Sequence, residues 1–431
     1  MDAPRTLTRT LLLAATCIVL LLRDGGGTGS AATPDSFIPA DNSAPQKLRQ
    51  RILEELGVSK WHKAGFRGRG LTIAVLDSGF RGYREHLGKS LPAAVAVQSF
   101  RQDVNLEASE SQHGILCGEV IHSLAPEARI VFANWEPDRP EKFLAAVNWA
   151  KTQGAKVISC SVIMPTWSDG EGHGCVHQAL TKILGNGEGA NDLLCFASAG
   201  NTAQRHWSGT FQDDGHGRHE WQPRETDNVV KPWGTERVSV EVCWRSDSCY
   251  EAVVEDATSE HEIARSVPSV SADRCCAVAS FLPEVGRVYR LRLRLVRGKA
   301  GPFHLVVLGG GLAIASRRGS IAFPADGPEV IAVGAVDHEG KRTSYSSCGP
   351  NSEAPKPDFV AAVPFSSAWR SRPFTGTSAA APQAAALAAL VWCGHQEWHA
   401  GQVRDALKKG VRHLCAGEHD CDTGYGCIHL P

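Results

Sequence analysis

The sequence lacks an excess of either charge. Its 431 residues carry 45 Lys and Arg against 46 Asp and Glu, a formal net charge of −1. That balance leaves no electrostatic footprint for nucleic acid or for an anionic membrane surface, so neither is expected as a partner on this ground. A long apolar run is also missing: LLLAATCIVLLL, Leu11 to Leu22, is too short for a comfortable bilayer span. So is any C-x-x-C pair, which weakens zinc as an explanation of the cysteines without removing it.

What the N-terminus does have is an order of residue types. Arg5 and Arg9 precede the apolar run, and RDGGGTGSAA follows it, with small residues at Ala31 and Ala32. Charged, apolar, small is the order of an export signal, so residues 1–32 are expected to be cleaved after Ala32 and the protein to be secreted or extracytoplasmic. The alternative is retention as an N-terminal anchor, the one case in which a membrane is a partner. Cys17, in AATC, is a poor lipoprotein site because no Leu or Val stands three places before it. In an oxidising compartment some of the thirteen later cysteines are expected to form disulfides, and the odd number leaves at least one over. Cys243, Cys249, Cys275 and Cys276 form one local cluster and Cys415, Cys421 and Cys427 another. Cys117, Cys160 and Cys195 fall in apolar runs and are expected as buried thiols.

Residues 33–56 read as a polar, proline-containing linker that ends in an amphipathic piece, KLRQRILEELG. The texture then changes. LTIAVLD, ARIVFANW, AKVISCSV, DLLCFASAG and EVIAVGAV are apolar runs of strand length, separated by helix-like GILCGEVIHSLA, PEKFLAAVNWAKTQG and CVHQALTKILGNG. Strands apolar on both faces, alternating with helices, predict an α/β fold: a parallel sheet with helices on both faces, its sites at the carboxyl ends of the strands. From 205 to 319 the helical periodicity vanishes. ERVSVEVCW, CYEAVVED, CCAVASF, VYRLRLRLV and PFHLVVLG predict an antiparallel β-sandwich inserted between an α/β first part (57–204) and second part (320–431). In VYRLRLRLV the apolar residues alternate with Arg, which predicts one buried and one solvated basic face.

Three polar residues fall where strands end or helices begin. Asp77 closes the first strand in LDSG, His113 stands before a helix whose Gly114 and Gly118 permit close packing, and Ser378 opens the alanine-rich TGTSAAAPQAAALAALVW. A lone Ser at such a place is ordinarily an N-cap. Together the three have the types that activate a hydroxyl: a Ser is a poor nucleophile until an imidazole takes its proton, and the imidazole needs a carboxylate to hold its tautomer and stabilise its charge.

The segments AVLDSG, QHGILCGEV, FASAGN and GTSAAAPQAAALAAL, in that order, resemble those of the subtilisin-like serine proteases (subtilases), and the resemblance covers about 57–204 and 320–427. It implies a catalytic triad in which Asp77 orients, His113 is general base and acid, and Ser378 is the nucleophile. It also implies that Asn201 and the Ser378 N–H donate to the oxyanion, although Asn after Gly is also an ordinary turn residue. Substrate binding falls on the edge Ser161, Val162, Ile163 and on Ala199 and Gly200. The implied function is hydrolysis of peptide bonds in peptide or protein substrates through an acyl-enzyme, with no cofactor or catalytic metal required. Structural calcium, common in the family, is not specified by any acidic loop here. The alanine run then makes a central helix crossing close neighbours, its positive end behind the hydroxyl.

Two departures stand out. The edge after Ser161 usually continues Leu-Gly; Val162-Ile163 crowds the specificity pocket and predicts a narrowed peptide preference. About 25 residues between cleavage site and α/β domain are too few for a folded inhibitory prosegment, so the protein folds unaided or the β insertion serves instead. His86 and His122 are expected to be structural; His173 and His177, four apart, have a metal-compatible spacing but no evident third ligand. The rival function is a catalytically silent subtilase fold that binds peptides or surface ligands, favoured by the altered edge and disfavoured by the intact triad. An α/β esterase would need a G-x-S-x-G elbow and the order Ser, Asp, His, which Thr377-Ser378-Ala379 does not fit.

Overall fold

A computed structural model of the chain describes residues 44–245, 247–270, 275–351 and 353–431. The expected signal segment and Cys17 lie outside them. Two helices come first, α1 (Ala44–Glu55) and α2 (Val58–Lys63), followed by β1 (Thr72–Leu76), β2 (Ala96–Ser99), α3 (His113–Leu124), β3 (Arg129–Asn134), α4 (Pro140–Thr152), β4 (Ala155–Cys160), α5 (Cys175–Leu184) and β5 (Leu194–Ser198). Segment 33–56, read as a linker, therefore ends in a packed element. Ile52 and Leu56 enter the core, and Arg49 donates to the buried Glu119 carboxylate of α3 at 2.8 Å. Among the described residues no helix is long and apolar enough to cross a membrane.

Ten strands follow: β6 (His206–Thr210), β7 (Asn228–Pro232), β8 (Val238–Trp244), β9 (Cys249–Asp256), β10 (Glu262–Arg265), β11 (Val267–Val270), β12 (Cys275–Phe281), β13 (Tyr289–Arg297), β14 (Pro302–Leu308) and β15 (Gly310–Leu312). The chain then returns through β16 (Val330–Val336) and β17 (Phe359–Ala362) to α6 (Thr377–Gly394) and α7 (Ala400–Gly410).

Seven strands make one sheet in the order β17-β16-β5-β4-β1-β3-β2, and every pairing in it is parallel. Side chains alternate between faces along a strand, and here both faces are covered. Ile73 and Val75 of β1 join the core under α3 and α6; Ala74 and Leu76 join the core under α4 and α5. That is why the strands read as unbroken apolar runs. Helix α6 is buried from Ala379 to Trp392, with Ala379 to Ala381 and Ala384 to Ala386 fully buried in the first core. Only methyl groups leave room for a helix that close to both the sheet and α3.

The ten intervening strands form two five-stranded antiparallel sheets, β10-β9-β13-β7-β15 and β11-β12-β8-β14-β6. They share one apolar core that includes Val240, Trp244, Tyr250, Leu293 and Phe303. The buried Tyr250 hydroxyl is satisfied by Gly301, donating to its carbonyl (2.9 Å) and accepting from its N–H (2.8 Å), as a buried phenol requires. The arginines of β13 are not simply solvated. Arg292 bridges Asp227 and Glu255, and Arg290 reaches Glu260, so the basic face is neutralised across strands.

The buried-thiol expectation holds for Cys117, Cys160 and Cys195. Cys415, Cys421 and Cys427, a cluster in sequence whose pairing the sequence leaves open, are free thiols in this structure. Cys415 Sγ lies 3.1 Å from its own loop's Gly417 carbonyl, and Cys427 packs with Val336 and Val360.

Candidate active site

Asp77 follows the last residue of β1, near the middle of the parallel sheet and at its carboxyl edge. It is fully buried, and its N–H donates to the Ala133 carbonyl of β3 at 3.1 Å. Each of its carboxylate oxygens has its own partners. Oδ1 accepts from the N–H groups of Ser78 (2.8 Å) and Gly79 (3.0 Å); Oδ2 is 2.7 Å from His113 Nδ1. Two backbone donors and one imidazole account for a charge with no solvent to support it.

His113 is the first residue of α3, and two glycines explain how it gets so close. A Cβ on Gly79 would stand 2.5 Å from Ser111 Oγ and 2.8 Å from the His113 nitrogen; one on Gly114 would stand 2.5 Å from the Phe80 ring and 2.9 Å from Asp77 Cβ. The Gly114 N–H donates to the Gly79 carbonyl at 2.7 Å, pinning the helix start onto the turn after β1. Burial disfavours the imidazolium, but the adjoining Asp77 carboxylate outweighs it and raises the His113 pKa well above the ordinary histidine value.

Ser378 is the second residue of α6. Gly376 caps that helix at φ 85°, a conformation suited to glycine, and a Cβ there would press to 2.9 Å from Asn201 Nδ2. The Ser378 N–H, in the first turn, has no intrahelical acceptor. Its carbonyl loses the usual donor four residues on, because that residue is Pro382. Ser161 Oγ donates to this carbonyl instead at 3.3 Å, and the Cys117 thiol lies 3.7 Å from it. Ser161 and Cys117 thus hold the backbone that carries the hydroxyl, and burial pushes the Cys117 thiol pKa up, keeping it protonated.

Asn201 follows β5 through Ala199 and Gly200. Its Oδ1 accepts from both the N–H and the hydroxyl of Thr377, each at 3.0 Å, which leaves Nδ2 as the donor end of the amide. The Thr377 hydroxyl is itself fixed by the Gly200 N–H at 3.3 Å. The next residue, Thr202, donates to the Ser320 carbonyl at 2.7 Å, tying together the two chain segments that lead into and out of the antiparallel sheets.

One open cleft, with about 480 Å³ of empty space, is lined by His113, Ser378, Asn201, Ser161, Val162, Ile163 and Gly200. Thr377, Ser198, Arg205 and Leu308 complete its wall. Among the described residues no hydrogen bond joins His113 Nε2 to Ser378 Oγ, a contact that is often long in free enzymes and tightens with substrate. Ala199, expected at the substrate edge, is not there: it is fully buried and its N–H is taken by the Val333 carbonyl at 2.9 Å. His86 packs on Trp369 with ring centres 4.3 Å apart. His173 and His177 do not converge on a metal, because each pairs with a different carboxylate, Asp169 at 3.0 Å and Asp326 at 2.9 Å. Among the described residues Asp77, His113 and Cys117 are the one set of three metal-capable side chains close together. That set is the acid–base pair itself and offers nothing like the six to eight oxygens that calcium takes.

Sequence reasoning missed Ser198, which ends β5 three residues before Asn201, and also Thr377, Arg205 and Leu308. Thr377 was visible inside the GTS motif; Arg205 and Leu308 come from segments whose approach to the cleft depends on how the antiparallel sheets dock.

A parallel α/β sheet with Asp, His and Ser converging at its carboxyl edge, in that chain order, defines the architecture of a subtilisin-type serine hydrolase. The chain matches the Subtilase family over residues 68–230 and 298–427, well over half its length, and it belongs to that family. Subtilisin E of Bacillus subtilis (strain 168) is 35% identical over 97 residues, 22% of this chain and 25% of the subtilisin. Subtilisin DY of Bacillus licheniformis is 34% identical over 113 residues, 26% of this chain and 40% of its own. The chain thus spans about a quarter to two-fifths of these curated relatives. Among solved structures, the CspB protease of Clostridium perfringens superposes with a TM-score of 0.61 at 16% identity, covering 86% of this chain and 94% of the other. At that identity the likeness bears on the fold alone.

Proposed function

We propose that this protein is an exported serine endopeptidase that cuts peptide bonds through an acyl-enzyme on Ser378. The observation that carries the reading is that one cleft holds Ser378, His113 on its buried carboxylate, and the free donor end of Asn201. The Ser378 hydroxyl attacks the peptide carbonyl and gives its proton to His113 Nε2, while Asp77 stabilises the imidazolium. The negative charge moves to the carbonyl oxygen, where Asn201 Nδ2 and the Ser378 N–H donate to it. Collapse breaks the C–N bond, and the leaving amine takes its proton from His113. Water then attacks the ester, deprotonated by the same imidazole, and releases Ser378. Each proton passes through His113, and the subtilase reaction needs no cofactor.

The substrate lies extended along Ser161–Ile163 and Gly200, where the half-exposed Ile163 narrows the choice of side chains. Residues 1–32 serve export, and 205–319 form an inserted domain. The silent-binder reading rests on the missing His113–Ser378 contact and the bulky Val162-Ile163 edge. Hydrolysis of unfolded casein separates the two. The native protein cleaves it and Ser378→Ala does not; a folded native protein that leaves casein intact would favour the binder.

A further inference from the structure

Arg205 is an anomaly among the buried charges. It is 4% exposed and lines the same cleft as Ser378, His113 and Asn201. The buried Asp77, Glu119, Asp326 and Lys356 each face an opposite charge or an imidazole: His113, Arg49, His177 and Asp358. Arg205 faces none among the described residues. Its Nε donates to the Asn201 carbonyl at 2.9 Å and its Nη1 to the Val307 carbonyl at 3.4 Å. Its guanidinium carbon sits 4.8 Å from the Trp233 ring centre. Among the described residues Nη2 has no hydrogen-bond partner. Burial lowers the pKa to about 10, so the group is still a cation at neutral pH.

An uncompensated buried cation is expensive. Two carbonyls and a ring face hold this one rigidly, a burden with no benefit to folding that a neutral side chain could not supply. The cost is offset if an anion arrives with the ligand. The guanidinium is bonded to the main-chain carbonyl of Asn201 and lines the same cleft as Ser378, so an anion meeting it lies in the cleft beside the attacked carbonyl. The apolar Leu308, Val162 and Ile163 line the same wall and lower the local dielectric, which strengthens the pair. Guanidinium geometry favours the planar carboxylate.

We infer that Arg205 selects substrates with a carboxylate next to the scissile bond, supplied by an Asp or Glu side chain or by a free chain terminus. This rests on the proposed peptidase site and adds to it a specificity residue from the antiparallel segment. The test is a peptide set carrying Asp or Glu against isosteric Asn or Gln on either side of one cleavable bond, with free and amidated C-termini. Native protein cleaves the matched acidic peptide at least about tenfold better in kcat/KM than its amide. In Arg205→Gln that ratio collapses toward one, and Arg205→Lys keeps part of it. Preference for Asp or Glu within the chain identifies a side-chain carboxylate; preference for free over amidated ends identifies a terminal one.

The same peptides titrated calorimetrically into Ser378→Ala show the preference as a tighter affinity for the acidic member of each pair. The inference therefore stays testable if no peptide is cut, an outcome that would instead sink the peptidase reading. An acidic-to-amide ratio near one in the native protein overturns it even if Arg205 variants fail to fold. So does a ratio unchanged in Arg205→Gln.

Discussion

Substituting Asn201 separates catalysis from packing in one residue. Its Oδ1 accepts two hydrogen bonds from the buried Thr377, and its Nδ2 is the end left to meet a developing oxyanion. Asn201→Ala removes both ends. The Thr377 N–H and hydroxyl lose their acceptor, which costs about 1–3 kcal/mol of stability for a buried polar group left unmade. Loss of the oxyanion donor costs about 10²–10³ in kcat, roughly 3–4 kcal/mol of transition-state stabilisation. Asn201→Asp keeps an acceptor for Thr377 but replaces the donor with a negative oxygen where negative charge must form. Its kcat is expected to fall at least as far as that of Asn201→Ala while its melting temperature stays nearer the native value. The assay is kcat and KM on a fluorogenic peptide beside a thermal melt of each variant. An Asn201→Asp enzyme whose kcat stays within about tenfold of native would refute the assignment of Nδ2 to the oxyanion.

The remaining predictions concern the proposed base, the packing that places it, and the two antiparallel sheets. The proposed mechanism needs neutral His113, and Asp77 raises its pKa, so on that mechanism kcat/KM climbs with pH and is half-maximal above the ordinary histidine value of 6.5. A midpoint at or below 6.5 in the pH–rate profile would contradict that, and Asp77→Asn should lower the midpoint along with the rate. Gly114→Ala forces a methyl into Phe80 and Asp77, costing about 1–3 kcal/mol by overpacking and displacing His113. A native-like melt with native activity would show that contact to be soft. Residues 205–319 expressed alone should give a soluble protein with β-rich circular dichroism and a cooperative melt; an unfolded product would reject the domain boundary.

How much of this was legible beforehand follows from how local each signal is. The sheet was readable because strands such as TIAVL are buried on both faces and need no partner's identity to look apolar. Asp77, His113, Asn201 and Ser378 sit beside glycines and small residues demanded by close approach, so each leaves a short pattern. Thr377 is visible inside the GTS motif, but its role depends on Asn201, 176 positions away along the chain. Arg205 was invisible as a site residue because its place in the cleft is set by Val307 of β14, far along the chain. Ala199 was misplaced by one step of a buried loop: Gly200 turns toward the cleft and Ala199 beneath it pairs with Val333. The β13 arginines look like a solvated stripe in sequence, since their acidic partners lie on other strands and loops.

The most direct measurement of the central claim is to treat native protein with a fluorophosphonate and locate the adduct by peptide mass mapping. The account predicts one modification, on Ser378, absent from Ser378→Ala and suppressed below the pKa of His113. Folded protein that stays unlabelled, or carries the phosphonate on another serine, would contradict it.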